Sequence, residues 1–232
     1  EIRLSLVGSE MCIRDRYCVE NDIKAYVRPN IGDFIISNAK TVQMANLPVM
    51  ICERATPSLF YVAMKRAMDI VISLIGLVIA SPFLLITAIA IKAYDHGPVF
   101  YKQVRLTKNG REFKILKFRS MKVDAEKDGV ARLSSENDDR ITPVGKVIRA
   151  CRIDELPQLI NILKGDLAVV GPRPERPEIA TQYVKEMPEF SLRLQVKAGL
   201  TGYAQVYGKY NTEPYDKLQM DLMYVNQMGL VS

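Results

Sequence analysis

Two neighbouring carboxylates in a basic stretch are the residues best suited to chemistry. Asp154 and Glu155 follow Arg149 and Arg152 in the run Ile148–Asn161, IRACRIDELPQLIN. A carboxylate among cations at a helix N-terminus lies where a phosphate would also bind. There an aspartate can attack phosphorus, and its acidic neighbour can hold Mg²⁺ or handle a proton. The alternative is structural, with Asp154 capping a helix ELPQLINIL and Glu155 favouring its dipole.

A basic hairpin is the second candidate for anion binding. The run PVFYKQVRLTKNGREFKILKFRSM predicts two strands joined at Asn109-Gly110, because both residues tolerate positive φ. On alternating positions of the second strand, Lys117 and Arg119 share a side and can present two cations to one anion. A solvated basic edge that discourages aggregation is the alternative.

An arginine between two prolines is the third candidate. Arg173 lies between Pro172 and Pro174, after an apolar strand that ends at Gly171. The rings fix the direction of its guanidinium fork, which suits bidentate recognition of phosphate. A purely structural turn is the alternative. The later run KAGLTGYAQVYGKYN predicts a loop near a nucleotide or at the membrane edge.

The elements around these motifs have recognisable boundaries. Thr142-Pro143 predicts a helix start, with the threonine as cap and the proline in the first turn, and the helix continues to Arg149. Residues 122–140 are polar and lack apolar periodicity, which predicts a mobile loop over a site.

An apolar run predicts contact with a membrane. Ile70–Ile91, IVISLIGLVIASPFLLITAIAI, contains no charge and is long enough for a hydrocarbon core of about 30 Å. Ser81 and Pro82 lie in its middle and predict a kink or break. A helix whose two halves enter and leave the membrane on the same side agrees with the basic residues at both of its ends, which include Lys65 and Lys92. A kinked single span is the alternative.

The N-terminal region is predicted to have two parts. Residues 1–16 include LVGSEMCIRD, which is similar to one reading frame of a transposon adapter used for sequencing libraries, and we predict that they are non-native. Residues 17–55 contain IKAYVRP, GDFIIS and LPVMICE, which predict strands and connections at the end of an α/β unit. Thr56–Ser58 forms a linker.

Composition narrows the classes of partner. A net charge of +6 favours an anionic partner, which can be nucleic acid, a phosphorylated metabolite or an acidic membrane. The four cysteines form no CxxC pair and show no metal-ligand spacing, and the single histidine, His96, rules out a His-rich site. A reducing cytoplasm is favoured. The chain has no tryptophan and no nucleic-acid motif, which argues against nucleic acid.

Several motifs in the right order carry a family resemblance. KRAMDIVISLIGLVIASPFLL, GPVFYKQVRLTKNGREFKILKFRSM, RIDELPQLINILKGDLAVVGPRPE and GLTGYAQVYG closely resemble the monotopic phosphoglycosyl transferases, bacterial enzymes that start exopolysaccharide, capsule or O-antigen units. The resemblance implies an α+β fold, with a re-entrant, proline-broken membrane helix in residues 60–95 and a C-terminally truncated catalytic domain in 96–232. Residues 17–55 are similar to the end of the Rossmann-like domain of large members.

The resemblance also implies a reaction. An aspartate attacks the β-phosphate of a nucleotide diphosphate sugar, a UDP-sugar, releases the nucleoside monophosphate and passes the phosphosugar to polyprenyl phosphate, here undecaprenyl phosphate. Asp154 would be the nucleophile and Glu155 its acidic partner at a Mg²⁺ site. Ser81 and Pro82 would form the helix break. The cations that would bind the substrate are Lys117, Arg119, Arg149 and Arg173.

The implied location is the cytoplasmic face of the inner membrane, with a homo-oligomer in the full-length parent. A non-enzymatic membrane scaffold, with a basic domain on acidic lipids, is the competing hypothesis. Release of a nucleoside monophosphate from a nucleotide sugar distinguishes the two.

Overall fold

A computed structural model describes most of the chain in two units, residues 1–53 and 54–232. The described residues are 17–18, 20–24, 29–37, 39–44, 47–51, 54, 57–123, 125, 138–208 and 212–227. Each unit is treated by itself. Residues 1–16, which were predicted to be non-native, lie outside the described part, as does most of the predicted loop at 122–140.

The first unit contains helix α1 (Ile31–Ser37) and the antiparallel strands β1 (Lys40–Met44) and β2 (Leu47–Ile51). The strand predicted in LPVMICE is confirmed, whereas GDFIIS is helical. A reciprocal cap explains the difference: Asn30 Oδ1 accepts from Asp33 N (3.0 Å) and Asp33 Oδ2 accepts from Asn30 N (2.7 Å). Most of IKAYVRP lies outside the described residues, and the Rossmann-like origin of this unit stays a prediction.

The second unit begins with a 37-residue helix, α2 (Leu59–Asp95), which spans about 55 Å. It starts at Ser58, whose Oγ accepts from Tyr61 N (3.2 Å), and ends at His96 in the left-handed conformation. The helix assignment continues through Pro82, and the predicted kink or break at Ser81 and Pro82 stays a prediction. Pro82 has no N–H for the Val78 carbonyl one turn earlier, and Ser81 Oγ donates to that carbonyl instead (2.8 Å).

The two sides of α2 reverse the usual pattern of a soluble helix. Its buried residues are mostly small or polar: Asp69, Ser73, Ala80, Thr87 and Ile91. Its exposed residues are large and apolar: Val71, Ile72, Leu74, Ile75, Val78, Ile79, Phe83, Leu85, Ile86 and Ile89. Only 17% of its most apolar window is buried. A continuous apolar surface of this kind marks a site of association.

The predicted hairpin is confirmed as β3 (Phe100–Leu106) and β4 (Glu112–Phe118), paired from Phe100↔Phe118 to Leu106↔Glu112. Asn109 (φ 60°) and Gly110 (φ 72°) adopt the positive φ values that their types allow. Alternate β4 residues Phe113 and Ile115 enter a core with Leu159 and Ile162, and Leu77 of α2 packs against it.

Short elements complete the unit and hold the strands in place. The predicted helix at Thr142-Pro143 is confirmed as α3 (Pro143–Ala150), with Thr142 Oγ1 accepting from Gly145 N (2.9 Å). The elements that follow α3 are α4 (Gln158–Lys164), β5 (Ala168–Val170), α5 (Pro177–Glu186), β6 (Gly199–Thr201), α6 (Tyr203–Val206) and α7 (Pro214–Asn226). A 3-10 segment spans Pro188–Gln195. The mixture of helices and small sheets, with one long apolar helix, agrees with the predicted α+β class.

Two polar clamps position α4 against its neighbours. The Asn161 amide bridges the edge of β4, accepting from Leu116 N (2.9 Å) and donating to Lys114 O (2.9 Å). At the C-terminal end of α4, Arg66 of α2 donates to the carbonyls of Ile162 (2.6 Å) and Leu163 (2.7 Å). A cation on these carbonyls also complements the helix dipole. The clamps fix the segment before α4 relative to β4.

Candidate active site

The acidic pair lies on a 3-10 turn, Ile153–Glu155, between α3 and α4. Arg152, in the left-handed conformation (φ 54°), turns the chain into it. The structural prediction that Asp154 caps the next helix is wrong, since α4 begins at Gln158, after Pro157, and has no side-chain cap. The turn closes its own backbone, as in the bond from Leu156 N to Ile153 O (3.1 Å). The Asp154 carboxylate is therefore not used for capping α4.

Two of the predicted cations meet on Glu155. Lys117 Nζ lies 2.7 Å from Glu155 Oε1, and Arg173 Nη2 lies 3.0 Å from the same oxygen. The β4 strand supplies the lysine, the turn between the prolines supplies the arginine, and the 3-10 turn supplies the carboxylate. These residues are widely separated in sequence and converge beside Asp154, which is itself only 9% exposed.

The charges of the cluster shift its pKa values in a consistent way. Burial raises the pKa of Glu155, but Arg173 and Lys117 oppose burial more strongly and bring it from 4.5 to about 2. Burial, aided by the charge of Arg173, lowers the pKa of Lys117 despite the attraction of Glu155. The Glu155 carboxylate is thus the shared counter-charge of Lys117 and Arg173. Burial also raises the pKa of Asp154, against the attraction of Lys117 and Arg149.

Every backbone carbonyl of the turn Pro172–Glu175 accepts a hydrogen bond. Pro172 O accepts from Gly199 N (2.9 Å), Arg173 O from Arg193 Nη2 (2.8 Å), Pro174 O from Arg105 Nη1 (3.3 Å) and Glu175 O from Leu106 N (3.0 Å). The close approach to Gly199 also depends on glycine, because a Cβ there would lie 2.1 Å from Gly171 N. The backbone that carries Arg173 is therefore held at each residue.

Arg193, which braces Arg173, is itself held in a buried ionic contact. Its Nη2 lies 2.7 Å from Asp221 Oδ2, its Nη1 lies 3.7 Å from Glu175 Oε1, and its guanidinium lies 4.8 Å from the centre of the Phe190 ring. Burial raises the pKa of Asp221 to about 6 against the opposing charge of Arg193. Arg193 and Asp221 are a positioning pair for Arg173.

We expect Arg193→Met to destabilise the protein by about 3 kcal/mol, because it leaves the buried Asp221 without its cation. Asp221→Asn in the same chain should restore much of that loss but should not restore activity, since the Arg173 carbonyl still lacks its donor. Urea unfolding measures the change in stability. The KM for the nucleotide diphosphate sugar that the resemblance implies measures the second effect, with an expected rise of about tenfold. A double variant with normal KM would contradict the positioning role.

The remaining predicted cations differ in their positions. Arg149 lies near enough to Asp154 for its charge to oppose the rise that burial causes in the pKa of Asp154. Arg119 does not join the cluster: it is 8% exposed and pairs with Asp95 at the end of α2. The strand ends at Phe118, so the alternation that placed Lys117 and Arg119 on one side does not extend to Arg119. Arg119 anchors the end of the long helix.

The sequence reasoning missed Arg105, Arg193 and Asp221. A signal was present for Asp221, which lies on the same face of α7 as the buried Leu218, Leu222 and Val225. A carboxylate on an apolar helical face needs a buried cation. The identity of that cation, Arg193, depends on tertiary contacts that spacing does not reveal.

The predicted Mg²⁺ site consists of the acidic pair, Asp154 and Glu155. Among the residues that the structure describes, no group of three Asp, Glu, His or Cys side chains is placed to hold a metal ion. Mg²⁺ commonly takes one or two carboxylates together with substrate phosphates and water, rather than an all-protein cage. Asp154 and Glu155 are the residues that could take part in that mode of binding, and the Mg²⁺ site stays a prediction.

Comparison with known proteins assigns the family. Residues 60–232 match the family model described as bacterial sugar transferase. The chain belongs to the bacterial sugar transferase family. The matched region contains the long apolar helix, the acidic turn and the turn that carries Arg173, so these are features of a sugar transferase domain.

Relatives of this sugar transferase have related names. A putative undecaprenyl-phosphate N-acetylgalactosaminyl 1-phosphate transferase of Bacillus subtilis (strain 168) is 50% identical over 134 residues, which are 58% of this chain and 74% of the relative. A UDP-N-acetylgalactosamine-undecaprenyl-phosphate N-acetylgalactosaminephosphotransferase of Aeromonas hydrophila is 42% identical over 75% of this chain. A UDP-glucose:undecaprenyl-phosphate glucose-1-phosphate transferase of Escherichia coli (strain K12) is 37% identical over 87% of this chain. The matched region covers 42% of the length of the Aeromonas hydrophila relative and 44% of the length of the Escherichia coli relative.

Proposed function

We propose that the chain transfers a sugar 1-phosphate from a nucleotide diphosphate sugar to polyprenyl phosphate, as an initiating step of polysaccharide assembly. The single observation that carries this proposal is the convergence of Lys117 and Arg173 on the acidic turn beside Asp154. Membership of the bacterial sugar transferase family supports the same reaction class. The names of the relatives, which describe transfer to undecaprenyl phosphate, support it as well.

The proposed chemistry has two displacements at one phosphorus. An oxygen of Asp154 attacks the phosphorus that carries the sugar, the bond to the nucleoside monophosphate breaks, and the phosphosugar becomes an ester of Asp154. An oxygen of polyprenyl phosphate then attacks that phosphorus and releases the carboxylate. Each step forms one P–O bond and breaks another.

The cations act by position and charge. Lys117 and Arg173 now share one oxygen of Glu155, and a diphosphate would compete with that oxygen for them. The fixed backbone of Arg173 limits the reorganisation that this exchange requires. Asp154 and Glu155 would hold Mg²⁺, which when bound supplies charge neutralisation for the diphosphate.

The long helix supports a membrane site with both helix ends on one side. Its contacts with the rest of the unit extend from Asp69, which accepts from Val169 N (3.1 Å), to Ile91, which packs with Phe118 and Ile148. These contacts cover about 33 Å of one side of the helix. A straight span with lipid all around it would leave no room for them, which supports a domain on one face of the membrane. The basic residues at both flanks, Lys65 and Lys92, favour the cytoplasmic face of the inner membrane.

We expect cysteines introduced at Lys65 and Lys92 to react with an impermeant thiol reagent from the same side of sealed vesicles. The physical reason is that contacts with the rest of the domain, polar at Asp69 and apolar at Ile91, accompany the helix between these positions. The measurement uses the full-length parent with its native cysteines replaced, and a cysteine at the exposed Glu178 of α5 as the control for the domain side. Reaction of the two positions from opposite sides would contradict the one-sided topology.

A direct assay tests the proposed reaction. The full-length parent, with Mg²⁺ and polyprenyl phosphate, is offered a panel of UDP-sugars, and release of uridine monophosphate is measured together with formation of a lipid-linked phosphosugar. We expect both products in equal amounts for at least one sugar. Binding to acidic vesicles with no release of nucleotide from any donor would favour a membrane scaffold. The homo-oligomer of the parent is tested separately by its mass in detergent.

A further inference from the structure

Helix α4 carries two buried amide side chains that differ in their hydrogen bonds. Gln158, its first residue, is 3% exposed, and Asn161, one turn later, is 4% exposed. The Asn161 amide is bonded to β4 through both its oxygen and its nitrogen. The Gln158 amide forms no hydrogen bond with any residue that the structure describes. A buried amide without a partner costs stability, so Gln158 needs an explanation that Asn161 does not.

Gln158 lines a small cavity beside the acidic turn. The cavity has a volume of about 10 Å³, and Lys117, Glu155 and Arg173 lie on the same boundary. Arg105 lies there too, and its Nε is buried without an acceptor among the described residues. This volume is close to the space that a single water molecule needs. The cavity therefore fits one oxygen atom and is too small for a sugar ring or a base.

We propose that this cavity receives one non-bridging oxygen of the transferred phosphoryl group and that the Gln158 amide donates a hydrogen bond to that oxygen. The assignment rests on the proposed function, which supplies the phosphoryl group. Three side chains on the boundary, those of Arg105, Lys117 and Arg173, are cations, and their charges favour an anionic oxygen as the occupant. A carboxamide adds a donor without adding charge. Gln158 is thus assigned as a catalytic residue.

Lys117 connects the cavity to the proposed nucleophile. It lies on the cavity boundary, with its Nζ 2.7 Å from Glu155 Oε1. Burial lowers the pKa of Lys117, and the charges of both Glu155 and Asp154 oppose that fall, so both carboxylates lie near its ammonium. A phosphoryl group with one oxygen in the cavity can therefore present its phosphorus to Asp154. Charge in the transition state is spread over the non-bridging oxygens, where a fixed donor stabilises it.

Gln158→Met tests the assignment, because it keeps the length of the side chain and removes the amide. Since that amide has no partner among the described residues, we expect an unchanged or slightly raised melting temperature. In the full-length parent, kcat for release of the nucleoside monophosphate should fall about 10²-fold. The KM for the sugar donor should stay within about threefold of wild type, because the hydrogen bond acts mainly in the transition state.

Asn161→Leu is the matched control for a structural amide on the same helix. It leaves Leu116 N without its acceptor and Lys114 O without its donor. We expect a clear fall in the melting temperature, in contrast to Gln158→Met. Equal destabilisation by the two substitutions would assign Gln158 a structural role and overturn the proposal.

Inorganic phosphate is a probe that requires no transfer of sugar. Calorimetric titration of the full-length parent in detergent should show that Gln158→Met weakens phosphate binding about tenfold, the effect of losing one hydrogen bond to a charged group. Gln158→Glu has nearly the same shape but places a negative charge on the cavity boundary. At neutral pH it should bind phosphate more weakly still, because like charges repel.

The possible results separate the role of Gln158 from the reaction. An unchanged kcat or an unchanged phosphate affinity in Gln158→Met would overturn the assignment, while release of nucleotide by the wild-type protein would still support the proposed function. Weaker phosphate binding by both Gln158 variants, with no transfer from any donor by the wild-type protein, would support an anionic oxygen beside Gln158 and contradict the proposed function.

Discussion

Asp154→Asn should reduce turnover by a factor on the order of 10⁴ or more while the protein remains folded. An amide has nearly the shape of the carboxylate, but it cannot supply the anionic oxygen that attacks phosphorus. Because α4 begins at Gln158 and uses no cap from Asp154, the substitution removes no helix-capping bond. Activity of the full-length parent, together with a thermal melt, measures both parts of the prediction.

Asp166→Asn is a matched control for this substitution. Asp166 pairs with Arg111 at 3.0 Å, on a surface where the Arg111 side chain is 57% exposed. Exposed ion pairs contribute little to stability, so we expect nearly normal activity and stability from this variant. Equal losses in the two variants would show that any nearby change of charge disturbs the protein, and Asp154 would lose its special role.

Trapping the intermediate separates the covalent route from direct transfer. With a donor labelled in its sugar and with no lipid acceptor, the wild-type protein should acquire label at Asp154 and release one nucleoside monophosphate for each sugar retained. Asp154→Asn should acquire none. If lipid-linked product forms only when both substrates are present and no labelled protein appears at any time, the ester of Asp154 is not an intermediate.

The parts of the site that sequence could predict are those that depend on local chemistry. Asn109 and Gly110 form the hairpin turn because their backbones accept positive φ, and Thr142 caps α3 because its hydroxyl reaches the free amide of Gly145. The apolar helix follows from composition and length. In each case the cause lies within a few residues of the effect.

The parts that sequence could not predict depend on residues far apart in the chain. Arg119 and Lys117 have the same charge and neighbouring positions, yet one pairs with Asp95 and the other with Glu155. The support of Arg173 by Arg193 and Asp221 depends on α7 and the 3-10 segment lying against the proline turn. At Pro82 the helix assignment is continuous, and Ser81 donates to the carbonyl that the proline leaves without its N–H donor.

Removal of the Glu155 carboxylate should change the dependence of activity on pH. Glu155→Gln removes the carboxylate that Lys117 and Arg173 share, so the two cations then face each other without a counter-charge. The pKa of Lys117 is already lowered by burial and by Arg173, and it should fall further without Glu155. Since Lys117 must be protonated to hold phosphate, the alkaline limb of kcat/KM should move to lower pH. At neutral pH we expect a loss of about 10²-fold.

Profiles measured from pH 6 to 10 at saturating Mg²⁺ test this shift, with Glu178→Gln on the exposed side of α5 as the control. A parallel loss at every pH, with the alkaline limb unmoved, would assign Glu155 a role that does not involve Lys117.

The free energy of unfolding should depend on the ionisation of Glu155 at acidic pH. The folded pKa of Glu155, about 2, lies below its ordinary value of 4.5, so its contribution is fully present above pH 4.5 and is lost as the pH falls toward 2. The shift corresponds to roughly 3 kcal/mol. The difference in unfolding free energy between wild type and Glu155→Gln should therefore shrink by that order between pH 5 and pH 2.5. A difference that stays constant across this window would mean that the two cations do not stabilise the ionised carboxylate, and the cluster would then have no electrostatic reason to hold Arg173 and Lys117 together before substrate binds.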